Sequence, residues 1–271
     1  MSLFRTQLRL GVTILAALTM SGLAGAQNSP PTATSPASSP VAAPAAPNGA
    51  PVFNGPNHLP PDAAAAKAAR TLVPYFVPAK PGPTAPDADG FLRRWLLLEP
   101  IDKPNRTNSV FTGTYVRAAL SHEYFPGQFT VLPHHGEVVK AGDQNLAWHA
   151  LDSTNFDVKL FRFAYGLNKQ TYGVIFWAVT VVDSPREMKN VRLAVGSNSA
   201  SMWWLNGEDV ANLFDDRRMV MDDVVSKRLT LKKGRNILRG AVINGPGLSD
   251  FCVRIVDDRG NPIKEITVST K

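Results

Sequence analysis

The sequence predicts an all-β domain, a β-sandwich or jelly roll with one short helix, over residues 91–271. Short apolar or alternating runs recur about every ten to fifteen residues, turn-forming pairs such as Asn206-Gly207 separate them, and no helices alternate with the strands. The domain has about 180 residues, enough for a core of its own. Cys252 is the only cysteine, so no internal disulfide is expected, and we expect it to be a small buried residue.

The chain begins with the features of a secretory signal peptide over residues 1–26. Arg5 and Arg9 precede an uncharged, mostly apolar run at residues 10–20, and Ala24-Gly25-Ala26 supplies the small residues that a signal peptidase recognises. The apolar run is shorter than the ~20 residues that a transmembrane helix needs. We therefore expect cleavage, no membrane span afterwards, and a secreted or periplasmic protein.

Residues 27–90 are predicted to be a disordered linker rich in proline and alanine. Residues 27–61 contain almost no large apolar side chains, so they cannot bury enough surface to offset the entropy cost of ordering. Residues 62–72 can form a short helix capped by Asp62. The linker is either a spacer that holds the domain away from a wall or partner, or a connection without further role.

The one helix of the domain is predicted over residues 107–124. Phe111, Tyr115 and Ala119 fall on one face of such a helix, and Pro126 follows its end. The first residues of this segment include side chains that can cap a helix.

Strand patterns dominate the rest of the domain. Residues 173–182 are almost continuously apolar, which predicts a central strand buried on both faces. Residues 155–163 alternate between apolar and polar side chains, with a slip at Phe161 that a bulge would explain. The remaining predicted strands span residues 91–98, 147–151, 189–195, 202–205, 224–231, 236–242, 250–256 and 263–268.

The charge pattern favours a solvated surface over a nucleic-acid site. Removal of Arg5 and Arg9 with the signal peptide lowers the net charge from +7 to +5. Lys227-Arg228 and Lys232-Lys233 are tight basic clusters late in the chain, but each is short. Nucleic-acid binding would need a dense basic stripe interleaved with aromatic residues, so we expect no nucleic-acid partner.

Two turn motifs carry a resemblance to a known family. They are Trp204-Leu205-Asn206-Gly207 and Leu231-Lys232-Lys233-Gly234-Arg235-Asn236, within residues 174–257. This stretch resembles the galactose-binding-like jelly roll of exported bacterial carbohydrate-active proteins. The resemblance implies a non-catalytic domain that binds a polysaccharide or oligosaccharide, or another envelope protein, through loops or an open sheet face.

The same resemblance bears on metal binding and on catalysis. Related sequences often carry Gly-Ser-Asp-Asp-Gly, whose carboxylates suit calcium, where this chain has Gly196-Ser197-Asn198-Ser199-Ala200. We therefore expect no metal at this loop and no cofactor. Similar whole chains, with the segments W-L-L-L-E-P-I at 95–101 and E-Y-F-P-G-Q at 123–128, are sometimes labelled acetylxylan esterase, which implies an alternative function.

No local motif identifies a catalytic residue. The G-x-S-x-G turn of serine esterases is absent, although a triad assembled in space leaves no sequence trace. If catalysis occurs, His135 or His149 is the candidate base, and Ser121 or Ser153 is the candidate nucleophile. A metal site at His134 and His135 is disfavoured, because adjacent side chains of an extended chain point apart.

The candidate ligand-binding residues are Trp204, Asn206, Arg217 and Arg218. Sugar rings stack on aromatic side chains, and their hydroxyl groups bond to amides and guanidinium groups. Trp203 and Trp204 are neighbours in a predicted strand, so they face opposite sides. Trp204 either packs inside the sandwich or lies on a groove near the two arginines. A third function, a structural envelope protein, would need neither an aromatic surface nor a catalytic cleft.

Overall fold

The computed structural model describes residues 70–105, 107–215 and 217–271. The predicted signal peptide, residues 27–69 of the predicted linker and most of the predicted helix at 62–72 lie outside these residues. In the described part, no helix combines the length and apolar character needed to cross a membrane. The described strands form two antiparallel sheets that pack as a β-sandwich, which confirms the predicted all-β fold class.

Strands and helices are numbered in chain order. The strands are β1 (Phe76–Pro78), β2 (Arg94–Leu98), β3 (Ile101–Asp102), β4 (Val138–Ala141), β5 (Gln144–Ser153), β6 (Val158–Lys159), β7 (Val174–Ser184), β8 (Met188–Ser197), β9 (Ala200–Leu205), β10 (Glu208–Leu213), β11 (Val224–Val225), β12 (Leu229–Leu231), β13 (Gly234–Asn244), β14 (Asp250–Val256) and β15 (Thr267–Ser269). The helices are α1 (Gly113–Leu120) and α2 (Leu160–Gly166), and a 3₁₀ turn spans Asn108–Val110. The large sheet has the order β1-β5-β2-β7-β13-β9-β10, with β3 and β15 also paired to β7 and β4 to β5; the small sheet has the order β11-β8-β14-β6, with β12 also paired to β8.

The core between the sheets is built from the inward-facing residues of both. Trp95, Trp203 and Phe251 meet there, with ring centroids 5.0 to 6.1 Å apart. Gly240 lies opposite Trp203 in the register of β13 and β9, and a side chain at Gly240 would collide with the Trp203 ring. The glycine therefore lets this large side chain approach the backbone of the next strand.

The outer face of the large sheet is also buried, under residues 111–132, which we call the large-sheet cover. Trp177 and Trp204 lie on this face and stack with centroids 5.5 Å apart. Phe129 of the cover packs against both rings, at 5.4 and 5.6 Å. Aromatic contacts thus hold much of the cover against the sheet.

Arg239 lies beside these aromatic rings, directly opposite Trp204 on the neighbouring strand. Its side chain is only 3% exposed and donates from Nη2 to the carbonyl oxygen of Val131, 2.9 Å away. Among the described residues no carboxylate pairs with it, and burial lowers the pKa of Arg239. A buried cation without a counter-charge costs free energy that the surrounding packing has to offset.

The outer face of the small sheet lies under residues 87–91 and 219–223, which we call the small-sheet cover; Phe91, Asp89, Val220 and Asp222 supply the contacts. Arg254 donates from Nε to Asp222 Oδ1 of this cover at 2.9 Å. Cys252 is buried on the same face, as expected from the sequence, and burial raises the pKa of its thiol to about 12.

The predicted helix over residues 107–124 is correct in place but wrong in extent. It begins only at Gly113, because Thr112 caps it by accepting from the Tyr115 N–H at 3.4 Å. Its end at Leu120 precedes Pro126 by more than a turn. Local capping therefore overrides the longer apolar periodicity.

The strand predicted over residues 155–163 is wrong for most of its length. Only β6 pairs with β14, and the chain then turns into α2, a second helix that the prediction of a single helix missed. Leu160, Phe163 and Ala164 face the core with helical spacing. This spacing coincides with the alternating pattern over a few residues, so periodicity alone could not separate the two.

The folded chain begins before residue 91, within the segment predicted as linker. β1 pairs with β5 from Phe76 to Pro78, and Tyr75 and Phe76 are buried. These two aromatic residues supply the apolar surface that the preceding proline- and alanine-rich sequence lacks. The start of the sandwich therefore shifts toward the N-terminus by at least fifteen residues, from Phe91 to Phe76.

Candidate functional site

The two turn motifs meet at one end of the sandwich. Asn206 and Gly207 take positive φ angles of 53° and 86° at the β9–β10 turn, as the sequence predicts for a tight hairpin. Asn206 donates from Nδ2 to Asn236 Oδ1 at 2.9 Å and accepts from the Ile237 N–H at 2.9 Å. Asn236 in turn donates to the carbonyl oxygen of Lys232 at 2.8 Å. Asn206 thus positions one turn against the other.

A groove of about 450 Å³ lies beside these turns, and we call it the hairpin groove. Leu205, Val210 and Leu229 are buried and give it an apolar floor. Its exposed lining comes from polar side chains: Asn206, Glu208, Lys227, Arg228, Thr230 and Lys232. An apolar floor with hydrogen-bonding walls suits a ligand that has both C–H faces and hydroxyl groups.

A second groove, of about 590 Å³, lies between the start of β8 and residues 257–265; we call it the loop groove. Asp257 shapes its rim, because its carboxylate accepts from the Asn261 side chain at 3.0 Å and from the Arg259 and Asn261 N–H groups at 2.8 Å. These bonds, the one from the Asn261 side chain first, lower the pKa of Asp257.

One ion pair connects the rims of the two grooves. Arg228 of the hairpin groove donates from Nε and Nη2 to the two carboxylate oxygens of Asp258, each at 2.9 Å, and Asp258 lines the loop groove. Arg192 also approaches Asp258 at 3.3 Å. The hydrogen bond from Arg228 is the main cause of the lowered pKa of Asp258. The two grooves therefore share one fixed border.

The structure does not bring the four predicted ligand-binding residues together. Trp204 is 7% exposed and belongs to the core under the large-sheet cover, whereas Asn206 lies at the hairpin groove. Arg217 is half-buried, donates to Asp223 Oδ2 at 2.8 Å, and lies with the exposed Arg218 near the start of β9. Asn206 is at the other end of that strand, roughly 20 Å away at 3.3 Å per residue.

Sequence reasoning missed the exposed walls of the hairpin groove. The sequence shows two basic clusters there, Lys227-Arg228 and Lys232-Lys233, but their pattern favoured a solvated face. No sequence pattern pointed to Thr230 as a binding residue. Lys232 belongs to one of the two turn motifs, and this overlap of a basic cluster with a turn motif was the available clue.

The candidate catalytic histidines form a partly buried polar cluster. His149 Nε2 lies 3.4 Å from Glu99 Oε1, and Lys169 Nζ lies 2.9 Å from Glu99 Oε2. Burial lowers the pKa of His149, against the opposing effect of its bond to Glu99. Burial alone would raise the pKa of Glu99, but the bond from Lys169 and other hydrogen bonds lower it overall. The ring of His135 lies 6.3 Å from that of His149.

The candidate nucleophiles do not join this cluster. Ser153 Oγ donates to the carbonyl oxygen of Asp157 at 2.8 Å, and Ser121 is the C-cap of α1. His134 is exposed and pairs with Glu137 at 2.9 Å. In the part of the chain that the structure describes, no histidine bonds to a serine, and no three His, Cys, Asp or Glu side chains are grouped to hold a metal.

Comparisons with known proteins add only remote similarities. No protein-family model and no curated protein matches the sequence. A solved PA14 domain of the antifreeze protein MpAFP is similar at 12% identity and a TM-score of 0.37, covering 70% of this chain and 96% of that one. A PA14 sugar-binding domain from an RTX adhesin has 12% identity and a TM-score of 0.29, covering 70% and 91%. A β-glucosidase from Kluyveromyces marxianus has 17% identity and a TM-score of 0.31, covering 48% of this chain and 16% of that one. Such low scores carry no functional assignment.

Proposed function

We propose that this protein is an exported, non-catalytic domain that binds a polysaccharide or oligosaccharide, with the hairpin groove as the binding site. The observation that supports this proposal is the make-up of that groove. Its buried floor of Leu205, Val210 and Leu229 matches the apolar face of a sugar ring, and Glu208 and Thr230 offer partners for hydroxyl groups.

The proposal corrects the expected ligand set in two respects. Both polar ends of the Asn206 side chain are already bonded, so we assign it the role of holding the turn rather than of contacting the ligand. Trp204 lies under the large-sheet cover, so that outer face is not an open sheet face for a sugar. Binding through a groove at the strand ends replaces binding on a flat face.

The esterase alternative receives less support. A carboxylate beside an imidazole, as in Glu99 and His149, can orient a general base, but a base needs a nucleophile within hydrogen-bond reach. In the described residues neither His135 nor His149 bonds to Ser121 or Ser153. We therefore favour a binding domain over a hydrolase.

A blocking substitution tests the site. Thr230 is exposed on β12 and lines the groove, so Thr230→Trp fills it with a residue that strands tolerate well. We expect at least a tenfold loss of affinity, about 1.4 kcal/mol, in calorimetric titration with soluble xylan and uronate-containing polysaccharides. Thr130→Trp, at an exposed position of the large-sheet cover, serves as the matched control and should bind normally.

Two outcomes would contradict the proposal. If the natural protein binds none of these polysaccharides, the function is wrong. If Thr230→Trp binds as tightly as the natural protein, the site lies elsewhere.

A further inference from the structure

The side chains that line the two grooves carry a net positive charge. Seven cationic side chains line them, against four carboxylates. Each of the four carboxylates is already engaged. Glu208 pairs with Lys227 at 2.6 Å, Glu265 pairs with Arg186, Asp258 pairs with Arg228, and Asp257 holds its own turn.

Three cations of the grooves form no ion pair with a carboxylate among the described residues, although the charge of Arg259 helps to lower the pKa of Asp257. They are Lys232 in the hairpin groove, and Arg259 and Lys264 in the loop groove. All three are exposed, and the described residues place no carboxylate within ion-pair distance of them. Lys233 and Arg235, on the same turn as Lys232, are also exposed and unpaired among the described residues. The free positive charge of this region is therefore concentrated at the groove edges.

We propose that the ligand is an acidic polysaccharide, whose uronic-acid carboxylates bind to Lys232, Arg259 and Lys264. This inference rests on the proposed carbohydrate-binding function and specifies its ligand class. Hydrogen bonds between charged partners are stronger than neutral ones, and an arginine can hold a carboxylate through two of them. The Arg228–Asp258 pair keeps the two sets of cations at fixed positions on either side of the shared border.

The shape of the site favours a glycan over a nucleic acid. Among the described residues, no aromatic side chain on which a base could stack lines either groove, and the grooves lie at strand ends rather than along a continuous basic stripe. The apolar floor of the hairpin groove suits the C–H face of a sugar and has no counterpart in phosphate binding.

The test compares charge removed from the grooves with equal charge removed elsewhere. The groove variant carries Lys232→Gln, Arg259→Gln and Lys264→Gln. The matched control carries Arg93→Gln, Lys80→Gln and Lys140→Gln, which are exposed, without an ion pair in the described structure, and outside both grooves. Both variants lose two lysines and one arginine, so their net charges are equal.

The probes are polygalacturonate, glucuronoxylan and a neutral arabinoxylan, titrated at about 20 and about 300 mM NaCl, since exposed charges are screened by salt. We expect the acidic polysaccharides to bind at least about tenfold more tightly than the neutral one at low salt. The groove variant should lose about tenfold or more toward the acidic probes, because each exposed ion pair contributes modestly and three add up. The control variant should bind within about twofold of the natural protein.

Four results would overturn the acidic ligand class. One is equal binding of the neutral and acidic probes, which leaves the proposed function standing. Two others indicate unspecific attraction: an equal loss of affinity in the control variant, and binding of a DNA duplex, titrated as a further probe, as tight as that of the acidic polysaccharides. The last is no binding to any polysaccharide, which overturns the proposed function as well.

Discussion

The two sheets of the sandwich each have an outer face that is covered by other segments of the chain, and the two faces are covered in different ways. The large-sheet cover is held by aromatic packing, with Phe129 on Trp177 and Trp204. In the small-sheet cover, Arg254 pairs with Asp222 and also lies over the buried Phe91 ring at 5.0 Å. The difference shows that a second layer can be added to a sandwich either through aromatic packing alone or through aromatic packing combined with paired charges.

The two faces also treat buried charge differently. On the large sheet, Arg239 is buried without a carboxylate among the described residues. On the small sheet, Lys159 Nζ lies 2.6 Å from Asp157 Oδ2 and 3.1 Å from Asp250 Oδ2. Burial, opposed by Lys159, raises the pKa of Asp250 to about 6. The pKa of this buried acid on the small sheet is therefore raised, whereas burial lowers the pKa of the buried Arg239 on the large sheet.

The largest effect is expected from removing an aromatic ring under the large-sheet cover. Trp204→Ala should lower the free energy of unfolding by about 3–5 kcal/mol, because the ring stacks on Trp177 and contacts Phe129. Urea unfolding measures this loss, and Tyr172→Ala, at an exposed aromatic, should change stability by less than about 0.5 kcal/mol. A cost of Trp204→Ala below about 1 kcal/mol would show that aromatic packing does not hold this cover.

An intermediate effect is expected from pH on the small sheet. The pKa of Asp250 is raised in the folded state, to about 6, so the folded protein binds more protons than the unfolded chain between about pH 4 and pH 6. Its contribution to stability is therefore lost as pH rises through this window. Relative to Asp250→Asn, the natural protein should lose on the order of 1–3 kcal/mol between about pH 4 and pH 7 in urea unfolding.

A second carboxylate gives the control for that pH experiment. The pKa of Asp258 is lowered by Arg228, so its contribution is present at neutral pH and is lost as pH falls. Asp258→Asn should therefore change the pH dependence with the opposite sign. An identical pH dependence for the natural protein and Asp250→Asn would rule out the titration of Asp250 in this window.

The smallest effect is expected at Arg239. Arg239→Met removes a desolvated charge together with the bond to Val131, so we expect a stability change below about 1 kcal/mol in either direction. Arg254→Met is the matched comparison, and it should cost about 1–3 kcal/mol because Asp222 loses its partner while partly buried. Should the two variants cost the same in thermal and urea unfolding, the guanidinium of Arg239 stabilises its cover as strongly as an ion pair does.

The sequence predicted the strands whose environment leaves a local pattern. β7 is almost continuously apolar because the large sheet is buried on both faces, and the run at 173–182 predicted this directly. The opposite orientations of Trp203 and Trp204 were also predictable from strand geometry. The sequence did not predict that a further segment covers Trp204. The contact with Phe129 joins segments about seventy residues apart and leaves no periodicity in the sequence.

At the candidate site, too, the sequence predicted the features that depend on local residues and missed those that depend on distant contacts. The Asn206-Gly207 turn was predictable, since its positive φ angles demand such residues. The position of Thr230 in the wall of the hairpin groove was not predictable. It depends on the pairing of β12 with β8, whose register is irregular between Leu229 and Thr230. α2 was missed for a related reason, since its short apolar spacing fits a strand as well as a helix.

Cys252 gives the small-sheet cover a property that can be followed in time. A thiol with a pKa of about 12, buried on that face, has almost no reactive thiolate while the protein is folded. Alkylation therefore waits for the cover to open, and the labelling rate equals the opening rate when alkylation of the open form is faster than its reclosing. Because the chain has a single cysteine, every labelled molecule records an opening at this one place. Cys252 therefore allows local opening of the small-sheet cover to be measured in the natural protein, without an introduced cysteine.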